Sequence, residues 1–379
     1  MIKRQIFFAG FFLTFSAALS YYVNSSFLSQ LVGGAKWLGL IYAAAAIGGG
    51  GLILSLARFH LIEKIGWRRL GCWLGLILAG GYLSLSFISL STVQLVSFIF
   101  VYAAIVGLSL LLDLALEQAS RDAATGRIRG GYLTVINAAV LFAPLVSGAT
   151  LDYFKDFRFI YFLCFIASLP LLYQFFFKFD RSVLMTVNFA ASKKLIAPNL
   201  RRILKLDFLL NLFYFVMVIY LPLHLHNNLG FSWEKIGLIF TIMLVPFVLI
   251  EYPLGWLADK RWGEKEILTA GLMVAGLATL PIAWLTSTNW LIWAGLLFLT
   301  RVGASAWESM KETYLFKHVT AGDIDVIGRS RLLAPASYLV GSLATFLLLK
   351  IIPLPQLFTI LALIILASVL ISRRLLDTR

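Results

Sequence analysis

Charge is scarce in this chain. Asp, Glu, Lys and Arg make up 13% of its 379 residues, against 60% hydrophobic residues, and the mean hydropathy is +0.90. That leaves too little polar surface to wrap a soluble globule, so a chain solvated by lipid is expected. Cysteine is nearly missing: Cys72 and Cys164 lie within or beside apolar runs, with no CxxC and no companion His cluster. A disulfide framework and a metal centre are therefore not indicated. The four histidines, His60, His224, His226 and His318, stand at or beyond the ends of the apolar runs. There is no HExxH, no GxSxG and no acid pair beside a His, so no catalytic constellation is legible. The expectation is a protein that is not an enzyme and carries no cofactor, and a metal on His224 and His226 would be adventitious.

What is abundant is long hydrophobic runs. A bilayer core about 30 Å thick needs roughly 20 apolar residues per helix. About twelve such segments follow one another, near 6–23, 37–57, 70–90, 92–112, 131–151, 159–177, 207–225, 236–258, 267–287, 290–308, 332–351 and 355–372. Residues 1–20 imitate a signal peptide, with Lys3, Arg4, an apolar stretch and Ala18-Leu19-Ser20. They are read as the first span, because cleavage would remove one member of the repeat described below. The net charge of +14 raises nucleic acid as a partner, but the placement of the cations argues otherwise. Counted by alternate loops, 26 Lys and Arg fall on one side and 5 on the other (Lys36, Lys155, Arg158, Lys235 and Lys350), with Arg301 alone inside a span. Positive residues mark the cytoplasmic side, so both termini are expected there, in a multi-pass protein of the plasma or inner membrane.

Self-similarity within the chain is the next observation. Gly39-Leu40-Ile41-Tyr42 and Gly237-Leu238-Ile239-Phe240 open the second and eighth spans, and after 27 and 26 residues come Gly66 and Gly263, each in a basic turn. Val106-Gly107-Leu108-Ser109 has its echo in Val302-Gly303-Ala304-Ser305, and Gly126-Arg127-Ile128-Arg129 in Gly328-Arg329-Ser330-Arg331, all at offsets of about 200. The chain then reads as two halves, 1–177 and 207–379, joined by a charged interfacial stretch at 178–206 that has no Gly/Ser bias. The run AAAAIGGGG at 43–51 lacks a preceding strand and a Lys-Ser/Thr, so it is read as close helix packing and not as a phosphate loop.

The turn at 255–265, GWLADKRWGEK, resembles the G-x-L-A-D-R-x-G-R-K signature of the major facilitator superfamily, through Gly255, Leu257, Ala258, Asp259, Lys260, Gly263 and Lys265. It has one inserted residue before the glycine, and Glu264 where the signature is basic. The first copy, EKIGWRR, carries Glu63, Lys64, Gly66, Arg68 and Arg69, with Phe59 in place of the upstream glycine. Ala143-Pro144-Leu145-Val146-Ser147-Gly148 is similar to the G-P-x-x-G-G motif of the fifth helix, found especially in exporters. The resemblance implies an all-α integral membrane fold of twelve transmembrane helices in two pseudo-symmetric six-helix bundles. It also implies that spans one, four, seven and ten line the path, and that each basic turn reaches the other half. Asp259 would then face Arg127 and Arg129, and Glu63 would face Arg329 and Arg331, holding the cytoplasmic side closed.

Polar groups inside spans are informative because a charge near the bilayer centre costs about 3 kcal/mol even on insertion-based scales. Arg301 lies about twelve residues into span ten, with Ser305, Glu308 and Glu312 at i+4, i+7 and i+11 on the same face. Span four repeats the pattern with Ser109, Asp113 and Glu117. By resemblance, Ser16, Ser20 and Asn24 of span one and Asn211 and Tyr214 of span seven join them in a substrate cavity; the other reading of these residues is that they bridge helices. Glu251, between Pro246 and Pro253, is with Asp113 a candidate proton-coupling carboxylate. The function expected is a monomeric secondary transporter moving a small solute by alternating access, proton-coupled and of undecided direction. The alternative is an integral-membrane enzyme, a lipid-handling protein or a receptor on a transporter-like scaffold.

Overall fold

The computed structural model describes residues 2–119, 125–179, 197–258, 262–318 and 324–376, all of them helix or short connection. Among the described residues, eight helices are long and apolar enough to cross a membrane, and a ninth candidate is a bent pair. In that pair α1 (Ile2–Tyr21) gives way to α2 (Asn24–Val32) at a 47° bend. The expected first span ends at 23 and leaves out α2, which continues until Gly33 closes it with a left-handed φ of 73°.

Beyond the bent pair, α3 (Leu38–Arg58) leads through α4 (Leu61–Ile65) to α5 (Trp67–Phe87). Then come α6 (Ser91–Ala119), α7 (Thr125–Phe154) and α8 (Phe157–Tyr173), whose last turn widens into a π-helix at Gln174–Lys178. These belong to the first of two compact units, Met1–Phe189. The second unit, Ala190–Arg379, holds α9 (Pro198–Leu223), α10 (Trp233–Leu249), α11 (Glu251–Leu257), α12 (Glu264–Thr279), α13 (Trp290–His318), α14 (Ile324–Leu348) and α15 (Gln356–Ser372).

Helix neighbours are the same in both units. In the first, α1 packs on α6, α7 and α8, α5 lies between α6 and α8, and α3 lies on α6. In the second, α9 packs on α13, α14 and α15, α12 lies between α13 and α15, and α10 lies on α13. The repeated sequence segments therefore occupy equivalent places: the Gly39 and Gly237 segments open α3 and α10, and the Gly107 and Gly303 segments lie within α6 and α13. Gly66 and Gly263 make the turns into α5 and α12 at φ 86° and 77°, values only glycine adopts without strain.

Small residues set how closely the helices approach. A Cβ on Gly303 would lie 2.3 Å from the Ala275 nitrogen and 2.6 Å from the Gly271 carbonyl oxygen, so α12 and α13 cross with backbone on backbone. In the 43–51 run, Gly48 and Gly49 receive Ile99 and Tyr102 of α6, which is the packing role expected of them. Outward-facing side chains are large and apolar, among them Trp73, Phe87, Phe100, Leu277 and Leu363, as a lipid-facing surface requires.

Two element boundaries differ from the sequence reading for identifiable reasons. The expected span 236–258 breaks at Ile250 into α10 and α11. Pro253 offers no N–H to the Leu249 carbonyl and its ring would clash with it, so the helix ends at Leu249. Helix α9 begins at Pro198, well before the expected 207, with proline at its first position where no N–H is needed. The last residues of the expected linker are thus helical.

Candidate functional site

The polar centre of the second unit lies between α9 and α13. Along α9, Asp207, Asn211 and Tyr214 recur at i, i+4 and i+7 and so share one face. Helix α13 presents Arg301, Ser305, Glu308 and Lys311. Lys311 Nζ donates to Asp207 Oδ1 at 2.7 Å, and both side chains are only 9% exposed. Asn211 Nδ2 donates to the Asp207 carbonyl oxygen at 2.8 Å and to its Oδ1 at 3.1 Å. One turn further along, the Tyr214 hydroxyl donates to Glu308 Oε2 at 2.5 Å. The Arg301 guanidinium, 2% exposed, stands over the Phe213 ring at 5.0 Å and the Tyr214 ring at 5.8 Å. Aromatic faces carry negative potential, so these rings stabilise a cation that water does not reach.

Pairing is what makes such charges tolerable. An ion leaving water for a low-dielectric interior loses several kcal/mol, regained only through good geometry and further hydrogen bonds. Asp207 has both, from Lys311 and Asn211.

This corrects the expectation that Arg301 is the only cation inside a span. Lys311, counted there as a loop charge, belongs to the apolar stretch Trp290–Leu315 of α13. Hydropathy does not mark it, because the hydrophobic run fades at Glu308 while the helix runs on to His318. Asp207 is the first residue of the expected span 207–225 and so looks like a span-end charge, although α9 begins nine residues earlier. A usable signal was present in each case: no Gly or Pro interrupts 304–318, and Asp207 is in helical register with Asn211 and Tyr214.

Other expected site residues are placed differently. Ser16 and Ser20 are buried, and their hydroxyls donate to the carbonyls of Leu13 and Ala17 in their own helix. The Tyr82 hydroxyl donates to the Ser16 carbonyl, Asn24 donates to Ser20 Oγ, and Tyr161 donates to Asn24 Oδ1. The polar stripe of α1 thus ties α1 to α5 and, through Asn24, α2 to α8, the helix-bridging reading. Ser305 is fully buried with its hydroxyl on the Val302 carbonyl, whereas its repeat partner Ser109 is exposed. Asp113 is half-buried on α6 and within electrostatic range of Tyr132 of α7, whose ring packs on Gly10 of α1.

Around the basic turns, the described side chains make contacts within their own unit. Arg68 donates through Nε to the Phe175 carbonyl at 2.8 Å and through Nη2 to that of Phe176, so it caps the last carbonyls of α8. Glu63 pairs with His60 at 3.5 Å on the surface, a contact of small worth. Lys64 is exposed, and Lys265 offers its carbonyl to Thr269. Glu264, the departure from the signature, is buried and paired with Lys317, which ties the start of α12 to the end of α13. Asp259 and Lys260 lie outside the described residues, as do the side chains of Glu117, Arg127, Arg129, Glu251, Arg329 and Arg331 and the surroundings of Gly255. His224 is buried against Trp293 and Phe358 with Asn228 on Nδ1, and His226 stacks on Trp233. Among the described residues no cluster of His, Cys, Asp and Glu could hold a metal ion.

Comparison with curated proteins finds no match, so no relative lends the chain a substrate. The family profile described as Major Facilitator Superfamily matches residues 7–321, most of the chain. With apolar helices of membrane length, repeated helix neighbours and signature-like turns beside it, that match makes the chain a multi-pass membrane protein belonging to the Major Facilitator Superfamily of transporters.

Proposed function

We propose that the protein is a secondary active transporter with twelve spans in two six-helix bundles, moving a small solute by alternating access, and that the α9–α13 network is its working site. The observation that carries this reading is the buried pair Asp207–Lys311 beside Glu308, Tyr214 and Arg301. Ionisable groups at this depth are expensive and are kept where they bind solute or exchange protons. A solute carrying charge of either sign can replace one partner of such a pair without leaving the other uncompensated. Proton coupling is assigned to the carboxylates of this network, with Asp113 and Glu251 as further candidates, and the basic turns around Gly66 and Gly263 are assigned to gating. Purified protein in liposomes, under an imposed pH gradient and a panel of charged and zwitterionic solutes, tests the reading. Solute-dependent proton movement that is lost in Glu308→Gln supports it, and movement unchanged in that variant places the site elsewhere.

Arg301→Ala should lower flux about tenfold or more while leaving insertion intact, since it removes a charge-assisted donor together with the insertion penalty of its charge. Undiminished flux would make Arg301 a packing residue. The proposal also places both termini and the 58–69 turn in the cytoplasm of a cell whose plasma or inner membrane holds the protein. Reporter fusions at Arg69 and Arg373 should accordingly be active only as cytoplasmic reporters, and activity on the far side would overturn the topology.

A further inference from the structure

A groove on the second unit lies outside the α9–α13 network. It has a volume of about 400 Å³ and is walled by Leu204 and Phe208 of α9, Leu333 of α14 and Ile371 of α15, with Arg201 and Lys205 at its edge. The two cations are exposed, lie one helical turn apart on the same face, and so stand about 6 Å apart along the axis. No carboxylate lines the groove among the described residues. Neighbouring Arg202 is turned to Asn199, and Asp207, the one acid of α9, is turned onto Lys311, so no carboxylate of their own helix neutralises Arg201 or Lys205.

Two features make this more than a greasy surface. The span Pro198–Asn228 has 31 residues, about 46 Å of helix, whereas the hydrocarbon core is about 30 Å thick. Its first turns therefore reach headgroup depth while Phe208 remains among the acyl chains. The cations also stand at the start of α9, where the helix dipole is positive and where the first turn has no acid. That arrangement opposes the helix's own field, and an anion bound there relieves it.

We propose that this groove holds an anionic phospholipid, its phosphate between Arg201 and Lys205 and an acyl chain along Leu204, Phe208, Leu333 and Ile371. Basic pockets between membrane helices are suited to such headgroups, each nearby cation adding to the attraction. The inference needs only that α9 crosses a membrane, so it stands independently of the transport reading.

Native mass spectrometry of the full chain in neutral detergent, with phosphatidylglycerol and phosphatidylcholine added in equal amounts, tests it. Phosphatidylglycerol should be retained with a preference of about tenfold, falling to parity in the Arg201→Gln, Lys205→Gln variant. The preference should persist in Arg373→Gln, Arg374→Gln, which removes two exposed cations that do not line the groove. Leu333→Trp, which fills the groove and keeps both cations, should also lose the lipid. Glycerol phosphate in excess should not displace it, because the acyl chain supplies part of the affinity. Equal retention of both lipids by the wild type, or an undiminished preference in either groove variant, overturns the proposal. Displacement by glycerol phosphate would reassign the site to a free phosphate and overturn it as well.

Discussion

Asp207→Ala is expected to destabilise the protein by about 3–5 kcal/mol, because it leaves Lys311 charged, buried and without its carboxylate. Lys311→Ala should cost a similar amount by orphaning Asp207. Asp207→Leu combined with Lys311→Met should recover most of the loss, since replacing a buried ion pair by apolar groups of similar size is often neutral or stabilising. With Asp207→Leu and Lys311→Met also made singly, the double variant closes a double-mutant cycle whose interaction energy isolates the pair. Thermal melting of the detergent-solubilised protein reads it: two strongly lowered transitions and one near wild type. If the double variant melts as low as the worse single one, the helices depend on this pair for more than charge neutrality.

The second large effect is expected at Gly303. A side chain there meets the Ala275 nitrogen at 2.3 Å and the Gly271 carbonyl at 2.6 Å, backbone atoms that cannot rotate away. Gly303→Val should force α12 and α13 apart and cost about 3 kcal/mol, the upper part of the range for overpacking. Two controls lie close at hand. Gly295, on the same helix, has nothing within 4 Å of a built Cβ, so Gly295→Ala should gain up to about 1 kcal/mol from helix propensity. Gly107, its counterpart in the repeat, faces the tips of Leu52 and Leu74 at 2.8 and 2.9 Å. Those side chains can turn aside, so Gly107→Ala should cost less than Gly303→Ala in the same melting assay. Equal losses at 107, 295 and 303 would show that helix flexibility, and not the close crossing, is what the glycines provide.

The contrast between Gly303 and Lys311, eight residues apart on one helix, shows what the sequence could and could not reveal. Gly303 was visible through its repeat with Gly107, and helix class and membrane embedding were visible from hydropathy alone. Lys311 was invisible as a site residue because hydropathy cannot separate a loop charge from a buried charge that has a partner. Its partner Asp207 is 104 residues away, and only the packing of α9 on α13 brings them together. Ser16 and Ser20 are ambiguous in sequence for a different reason. A polar stripe on an apolar helix has the same spacing whether it faces a cavity or a neighbouring helix. Here the hydroxyls close on their own backbone and Tyr82 takes the Ser16 carbonyl. The break at Ile250 was readable from Pro253, had its ring been set against the Leu249 carbonyl.

The central claim is that the α9–α13 network works on a solute and is not merely a brace between helices. The Asp207→Leu, Lys311→Met variant separates the two, because it should fold and yet offer a solute no buried ion pair to exchange with. The deciding measurement is solute-driven proton flux in liposomes holding equal amounts of wild type and this variant, each with a confirmed thermal transition. The account predicts flux in the wild type and none above protein-free liposomes in the variant; flux at the wild-type rate from the variant would contradict it.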